Sequence, residues 1–225
     1  MSQLLGTTSW VIPGTYYENV EYITRKFRNF DFIELLGYTW DDDTYRLFEQ
    51  EKEHLRKIAL EKRIKYTVHL PTDNLTNILN AFKYLEMNLD IANYVLHPFG
   101  DCTERDKELF HSLLSHPKIS IENLKEHVFN HSRTVFDIGH HILGKKVEND
   151  FVNNVVEIHI MGVKDGKDHQ KLEWETLENA YQVLSDRLFR AKYLCFEIFN
   201  EDELVESLEL WEEFKNKIYN HWSVE

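Results

Sequence analysis

Eight short runs rich in β-branched and aromatic residues recur along the chain, at 4–11, 30–37, 65–70, 93–99, 118–124, 134–140, 155–162 and 193–199. Such residues fit a pleated, half-buried surface, so each run predicts a strand. Between them lie charged stretches whose apolar residues repeat at helical spacing: 17–27, 43–61, 75–89, 104–114, 175–189 and 201–219. The links after the fifth and sixth runs are shorter, and stunted helices are expected there. The chain has four prolines, eight glycines and no Gly/Ser linker. The expectation is therefore one α/β domain over residues 1–225, closed as a single (β/α)8 TIM barrel. A doubly wound open sheet is the alternative, but its Gly-rich fingerprint after the first strand is absent.

Side-chain phase sharpens this expectation, because successive residues of a strand face opposite sides. Glu34 is out of phase with Ile33 and Leu35, and His69 with Val68 and Leu70. His97 opposes Leu96, Glu122 opposes Ile121, and Asp137 opposes Phe136 and Ile138. His159 opposes Ile158 and Ile160, and Glu197 opposes Phe196 and Ile198. In a barrel the apolar phase faces the helices. The ionisable phase then converges on the C-terminal mouth, where barrel active sites sit. One inward His is ordinarily a hydrogen-bonded core residue. Seven ionisable groups together, with no matching ring of Lys or Arg, require a counter-charge, and a divalent cation supplies it. A donor set of His, Asp and Glu without Cys suits Zn²⁺, Mn²⁺ or Fe²⁺.

Two further segments extend the set. His140 follows Asp137 across Gly139, a predicted turn-in. Residues 164–172 put Asp168 and His169 on a Gly-containing loop. Glu157 shares the phase of His159 but lies lower, as a partner with no assigned role. His141 reads as a neighbour, not a ligand.

Composition excludes several classes. The net charge of −13 disfavours a phosphate backbone as partner, so duplex nucleic acid is not expected. The 42% hydrophobic and 13% aromatic content supports a real core. Two distant cysteines, Cys102 and Cys195, make no disulfide framework and suit a reducing cytoplasm. No basic start leads into a long apolar stretch, so no signal peptide is expected. No run is long and apolar enough for a membrane span. Oligomeric state is unread.

The order His69, His97, Glu122, Asp137, His140, His159, Asp168-His169, Glu197 resembles the xylose-isomerase-like barrel superfamily. That superfamily includes sugar isomerases, epimerases and AP endonucleases of the endonuclease IV type, and the resemblance covers nearly the whole chain. In its single-metal isomerases the ligands would match Glu122, Asp137, His159 and Glu197. In its trinuclear phosphodiesterases, His69, His97, His140 and the Asp168-His169 pair would be added. One departure is that the last Asp and His are adjacent here, where endonuclease IV has a residue between them. GTTSWVIP (6–13), VHLPTD (68–73) and GVKDGKDH (162–169) are also similar to the cobamide-remodelling phosphodiesterases.

The resemblance implies a metal-dependent phosphodiesterase with two or three divalent cations, acting on the nucleotide-loop phosphodiester of a cobamide. Glu122 would bridge two cations, and Glu197 or Glu34 would orient water or take its proton. Thr8 of the first motif, with Trp10, Tyr38 and Trp40 after the first two strands, are the candidate substrate contacts; packing at the mouth is the other role open to these aromatics. The alternative is a single-metal sugar or sugar-phosphate isomerase or epimerase, with Glu122 and Glu197 as ligands and proton-transfer bases. A degenerate, metal-free barrel acting as a binding module is the remaining alternative.

Overall fold

A computed structural model describes residues 2–98 and 103–222. Phe99, at the end of the fourth predicted run, and Cys102 lie outside the described residues. Eight parallel strands close into a barrel: β1 (Leu4–Thr8), β2 (Phe32–Leu36), β3 (Lys65–His69), β4 (Ile91–Leu96), β5 (Ile119–Glu122), β6 (Thr134–Asp137), β7 (Val155–Ile160) and β10 (Tyr193–Phe196). Each strand pairs with its neighbour in sequence, and β10 closes on β1 through Leu4–Tyr193 to Thr7–Phe196. The chain is a single (β/α)8 TIM barrel.

The helices outside it are α1 (Tyr16–Lys26), α2 (Asp42–Lys62), α3 (Leu75–Asn88), α4 (Glu104–Leu114), α5 (Ile138–Leu143), α6 (Asn149–Asn153), α7 (Trp174–Leu184), α8 (Arg187–Arg190) and α9 (Glu201–Trp222). Their starts follow local chemistry. The Thr15 hydroxyl caps α1 and Glu18 returns the bond in a capping box; Asp41 caps α2 and Asn74 caps α3. The expected short links take two forms. No helix joins β5 to β6, and β6 is followed by the short α5 and α6. The expected 175–189 helix is broken at Ser185, which adopts φ 48°.

The apolar phase of every strand packs outward. Ile33, Leu35, Val68, Leu96, Ile121, Phe136, Ile158, Ile160, Phe196 and Ile198 are all buried in one core between barrel and helices. Inside the lower barrel Phe32, Tyr193 and Cys195 form a separate apolar plug. Gly6 permits it, because a Cβ there would meet the Phe32 ring at 2.5 Å.

The loop expected at 164–172 is instead a β-hairpin, β8 (Gly162–Lys164) and β9 (Lys167–Gln170), forming its own two-stranded sheet. Asp165 and Gly166 turn it with φ 51° and 74°, the left-handed pair a two-residue type I′ turn demands. It packs over α5, and Gly139 allows the approach: a Cβ there would lie 2.8 Å from the Asp168 Cβ.

Candidate metal centre

Glu122, Asp137 and His69 are the last residues of their strands, His97 and Glu197 lie one residue beyond theirs, and His159 is the penultimate residue of β7. The parallel register therefore brings all six side chains to one end of the barrel. Five of them, all but His159, line a cavity of about 250 Å³ together with Tyr38, Thr72, His140, His169 and Phe199.

Glu122 is the hub. Its Oε2 lies 3.2 Å from His69 Nε2 and 2.9 Å from His97 Nε2. Its Oε1 lies 3.1 Å from His159 Nδ1, which is 3.2 Å from Glu197 Oε2. Two donor groups thus share one carboxylate: His69, His97 and Glu122; and Glu122, Asp137, His159 and Glu197. In each, the candidate ligand atoms lie within 4.8 Å of one another. The His69 Nδ1–H donates to the Leu70 carbonyl at 3.1 Å, which leaves Nε2 as the nitrogen that faces Glu122. Asn123 locks Asp137 from both sides of the backbone: Asp137 N–H donates to Asn123 Oδ1 at 2.8 Å, and Asn123 Nδ2 donates to the Asp137 carbonyl at 3.0 Å. The Asn123 carbonyl also accepts from His140 Nδ1 at 2.9 Å. Sequence reasoning passed over Asn123; its adjacency to Glu122 was the available signal.

The electrostatics are those of crowded charge in a dry site. Burial and the carboxylates Glu122 and Glu197 push Asp137 up to about 7, against the opposing pull of His140. Burial alone would depress His159, but Glu34, Glu197 and Glu122 outweigh it and hold the imidazole well above its ordinary range. Burial would raise Glu122 and Glu197; hydrogen bonds to imidazoles reverse this and hold both well below the usual carboxylate range. The fold thus spends three imidazoles on one carboxylate and forces Asp137 against two others. A divalent cation in the four-donor group would relieve that repulsion, and the His/Asp/Glu chemistry of the donors fits one.

The remaining expected residues fall elsewhere. His140, Asp168 and His169 share no common ligand sphere among the described residues. The Lys125 ammonium takes Asp168 Oδ2 at 2.7 Å, Asp168 Oδ1 meets His169 Nδ1 at 3.2 Å, and His169 Nε2 is 3.4 Å from Glu197 Oε1. The His169 ring stacks on Phe199 at 4.7 Å. His141 turns onto Phe136 instead of the cavity. Tyr38 lies on the cavity wall, its hydroxyl donating to Glu197 Oε1 at 2.7 Å. Trp10 is exposed at the rim, 5.9 Å from Phe199. Thr8 is fully buried at the end of β1, opposite Glu34 in the register.

Two expected positions lie away from the cavity wall. Trp40 does not reach the cavity: it is buried under the mouth against Phe48, Tyr45 and Tyr84, because α2 folds back across it. Glu34 lies in mid-strand, level with Thr67 and so one inward layer below His69. Its Oε1 lies 3.4 Å from His159 Nε2, and it is not among the residues that line the cavity.

No protein-family model matches this sequence, and no curated protein matches it. Solved structures do match. AsfvAP, an AP endonuclease solved as AsfvAP:AG, superposes with a TM-score of 0.63 at 13% identity, over 96% of this chain and 99% of that one. A xylose isomerase domain protein from Planctomyces limnophilus superposes with a TM-score of 0.57 at 14% identity, over 96% and 97%. At these identities the likeness is one of fold: the chain has the barrel shared by xylose isomerase-like and AP endonuclease structures.

Proposed function

We propose that this protein is a metal-dependent phosphodiester hydrolase with two divalent cations, acting on a small nucleotide-like substrate. The observation that carries the proposal is the division of Glu122, with Oε2 facing His69 and His97 and Oε1 facing His159. A carboxylate so placed is a bridging ligand. One cation would be held by His69, His97 and Glu122, the other by Glu122, Asp137, His159 and Glu197. Cations there would polarise a phosphoryl oxygen, ease deprotonation of water and stabilise the leaving oxygen. Glu197 Oε1 is left to orient water, gripped by Tyr38 and His169. The Lys125–Asp168–His169 chain caps the mouth with cationic groups suited to a phosphate, which replaces a third cation in this reading.

The net charge of −13 supports a compact substrate over duplex DNA. The exposed Trp10 and the Phe199 ring offer an apolar rim for a bulky group. The nucleotide-loop phosphodiester of a cobamide is the first substrate to test, on the motif resemblance alone. The four-donor group is complete without His69 and His97, and that observation favours a second reading, a single-metal sugar-type isomerase or epimerase. Metal content per chain separates the two, measured by elemental analysis on protein purified without chelator. Two equivalents and hydrolysis of a cobamide or a generic phosphodiester are expected. One equivalent, with turnover of a sugar and none of a phosphodiester, would replace the hydrolase with the isomerase.

A further inference from the structure

Below the cavity the barrel holds another polar layer, fully buried: Glu34, Glu157, Thr67 and Asn93. Almost every polar atom in it has a partner. Thr67 Oγ1 donates to Glu34 Oε2 at 3.0 Å, and Asn93 Nδ2 donates to Glu157 Oε2 at 2.6 Å. Asn93 Oδ1 accepts from Ser120 at 2.9 Å and from Arg133 at 2.6 Å. Glu34 Oε1 and His159 Nε2 are both among the buried atoms without a conventional hydrogen bond, and they face each other at 3.4 Å. Each is an ion-pair partner within reach of the other, and an unpaired buried polar atom is costly. His159 therefore has a defined polarity: Nδ1 points up to Glu122 and Glu197, Nε2 points down to Glu34.

We propose that Glu34 is a positioning residue, whose Oε1 takes the Nε2–H of His159 and so fixes Nδ1 as the nitrogen this imidazole presents to a cation in the Glu122/Asp137/Glu197 group. The inference rests on the metal reading above and names how one ligand is held. A carboxylate behind a ligating imidazole sets its tautomer and raises its basicity. The layer beneath holds that carboxylate in turn, through the Thr67 hydroxyl on its other oxygen. Glu34, Glu157 and His159 could themselves be taken for a cation site, since their ligand atoms lie within 4.8 Å. Thr67 Oγ1 donates to Glu34 Oε2 at 3.0 Å and Asn93 Nδ2 donates to Glu157 Oε2 at 2.6 Å, so one oxygen of each carboxylate is already taken by a hydrogen bond. The group is a hydrogen-bonded relay, not a second cage.

The test uses the full chain, stripped with chelator and reloaded with Cd²⁺ or Zn²⁺. Nitrogen NMR of the ¹⁵N-histidine-labelled Cd²⁺ form shows which His159 nitrogen couples to the metal, and chelator competition gives Zn²⁺ affinity. The expected result is coupling at Nδ1, a protected proton on Nε2, and a loss of Zn²⁺ affinity of about 10–100-fold in Glu34→Ala. Glu34→Gln, which keeps an acceptor oxygen and the side-chain volume, should lose less and serves if the alanine variant does not fold. Coupling at Nε2, or unchanged affinity in both variants, would overturn the positioning role and leave the metal centre standing. A wild-type chain that takes up no cation would remove the metal reading and this inference with it.

Discussion

At Glu122 one carboxylate answers three imidazoles, and its isosteric amide is the most informative single change. Glu122→Gln puts N–H donors where one of two donor groups needs an oxygen. The expected outcome is a chain that folds but loses at least one equivalent of bound metal and all but a trace of hydrolysis, read by elemental analysis, circular dichroism and turnover. Full metal content and turnover would remove the bridging role. Folding should survive because the amide keeps the shape, and the buried imidazoles can become neutral when the carboxylate goes. Most of this was legible in the sequence, since Glu122 is the one acid in its strand. Asn123 was not, because its work is done through backbone contacts to Asp137 that only the β5–β6 pairing creates.

Elements set where those residues stand. Helix α3 is tied to the barrel by Glu86, which accepts from Tyr94 of β4 at 2.7 Å and from Lys118, just before β5, at 3.1 Å. Burial would raise its pKa, but those two donors, with His116 beside them, reverse it and leave the carboxyl below its usual value. The sign follows from that direction. A depressed carboxylate stabilises the fold above its unfolded pKa of about 4.3, and that stability is lost as pH falls through the folded value. In a thermal series from neutral to acid pH, Glu86→Gln should lower the melting temperature at neutral pH and flatten the acid-side fall; an unchanged slope would exclude Glu86 as a contributor. The hairpin β8–β9 was the element misread from sequence. Its Asp165-Gly166 pair is a turn signal, but its strands are short and polar, and they persist because α5 and Gly139 give them a surface.

Across the whole molecule, closure of the barrel is what brings distant residues into one centre. The seam between β10 and β1 is backed by α9, whose Trp211 is buried against Phe189 and Phe196. Trp211→Ala should cost about 3–5 kcal/mol by denaturant unfolding. The transition is expected to remain single, because barrel and helices share one core. Two separated transitions would divide the chain into independently folding units.

The sequence by itself determined the α/β alternation, the outward apolar phase and the inward identity of Glu34, His69, His97, Glu122, Asp137, His159 and Glu197. A period of two assigns a side chain to a face without further information. Depth within the barrel is different, because it depends on register and shear between strands. Only the tertiary structure therefore put Glu34 one layer beneath His159, packed Trp40 under α2, and gave Asp168 to Lys125. Phase is a property of one strand, and level is a property of eight strands closed on one another.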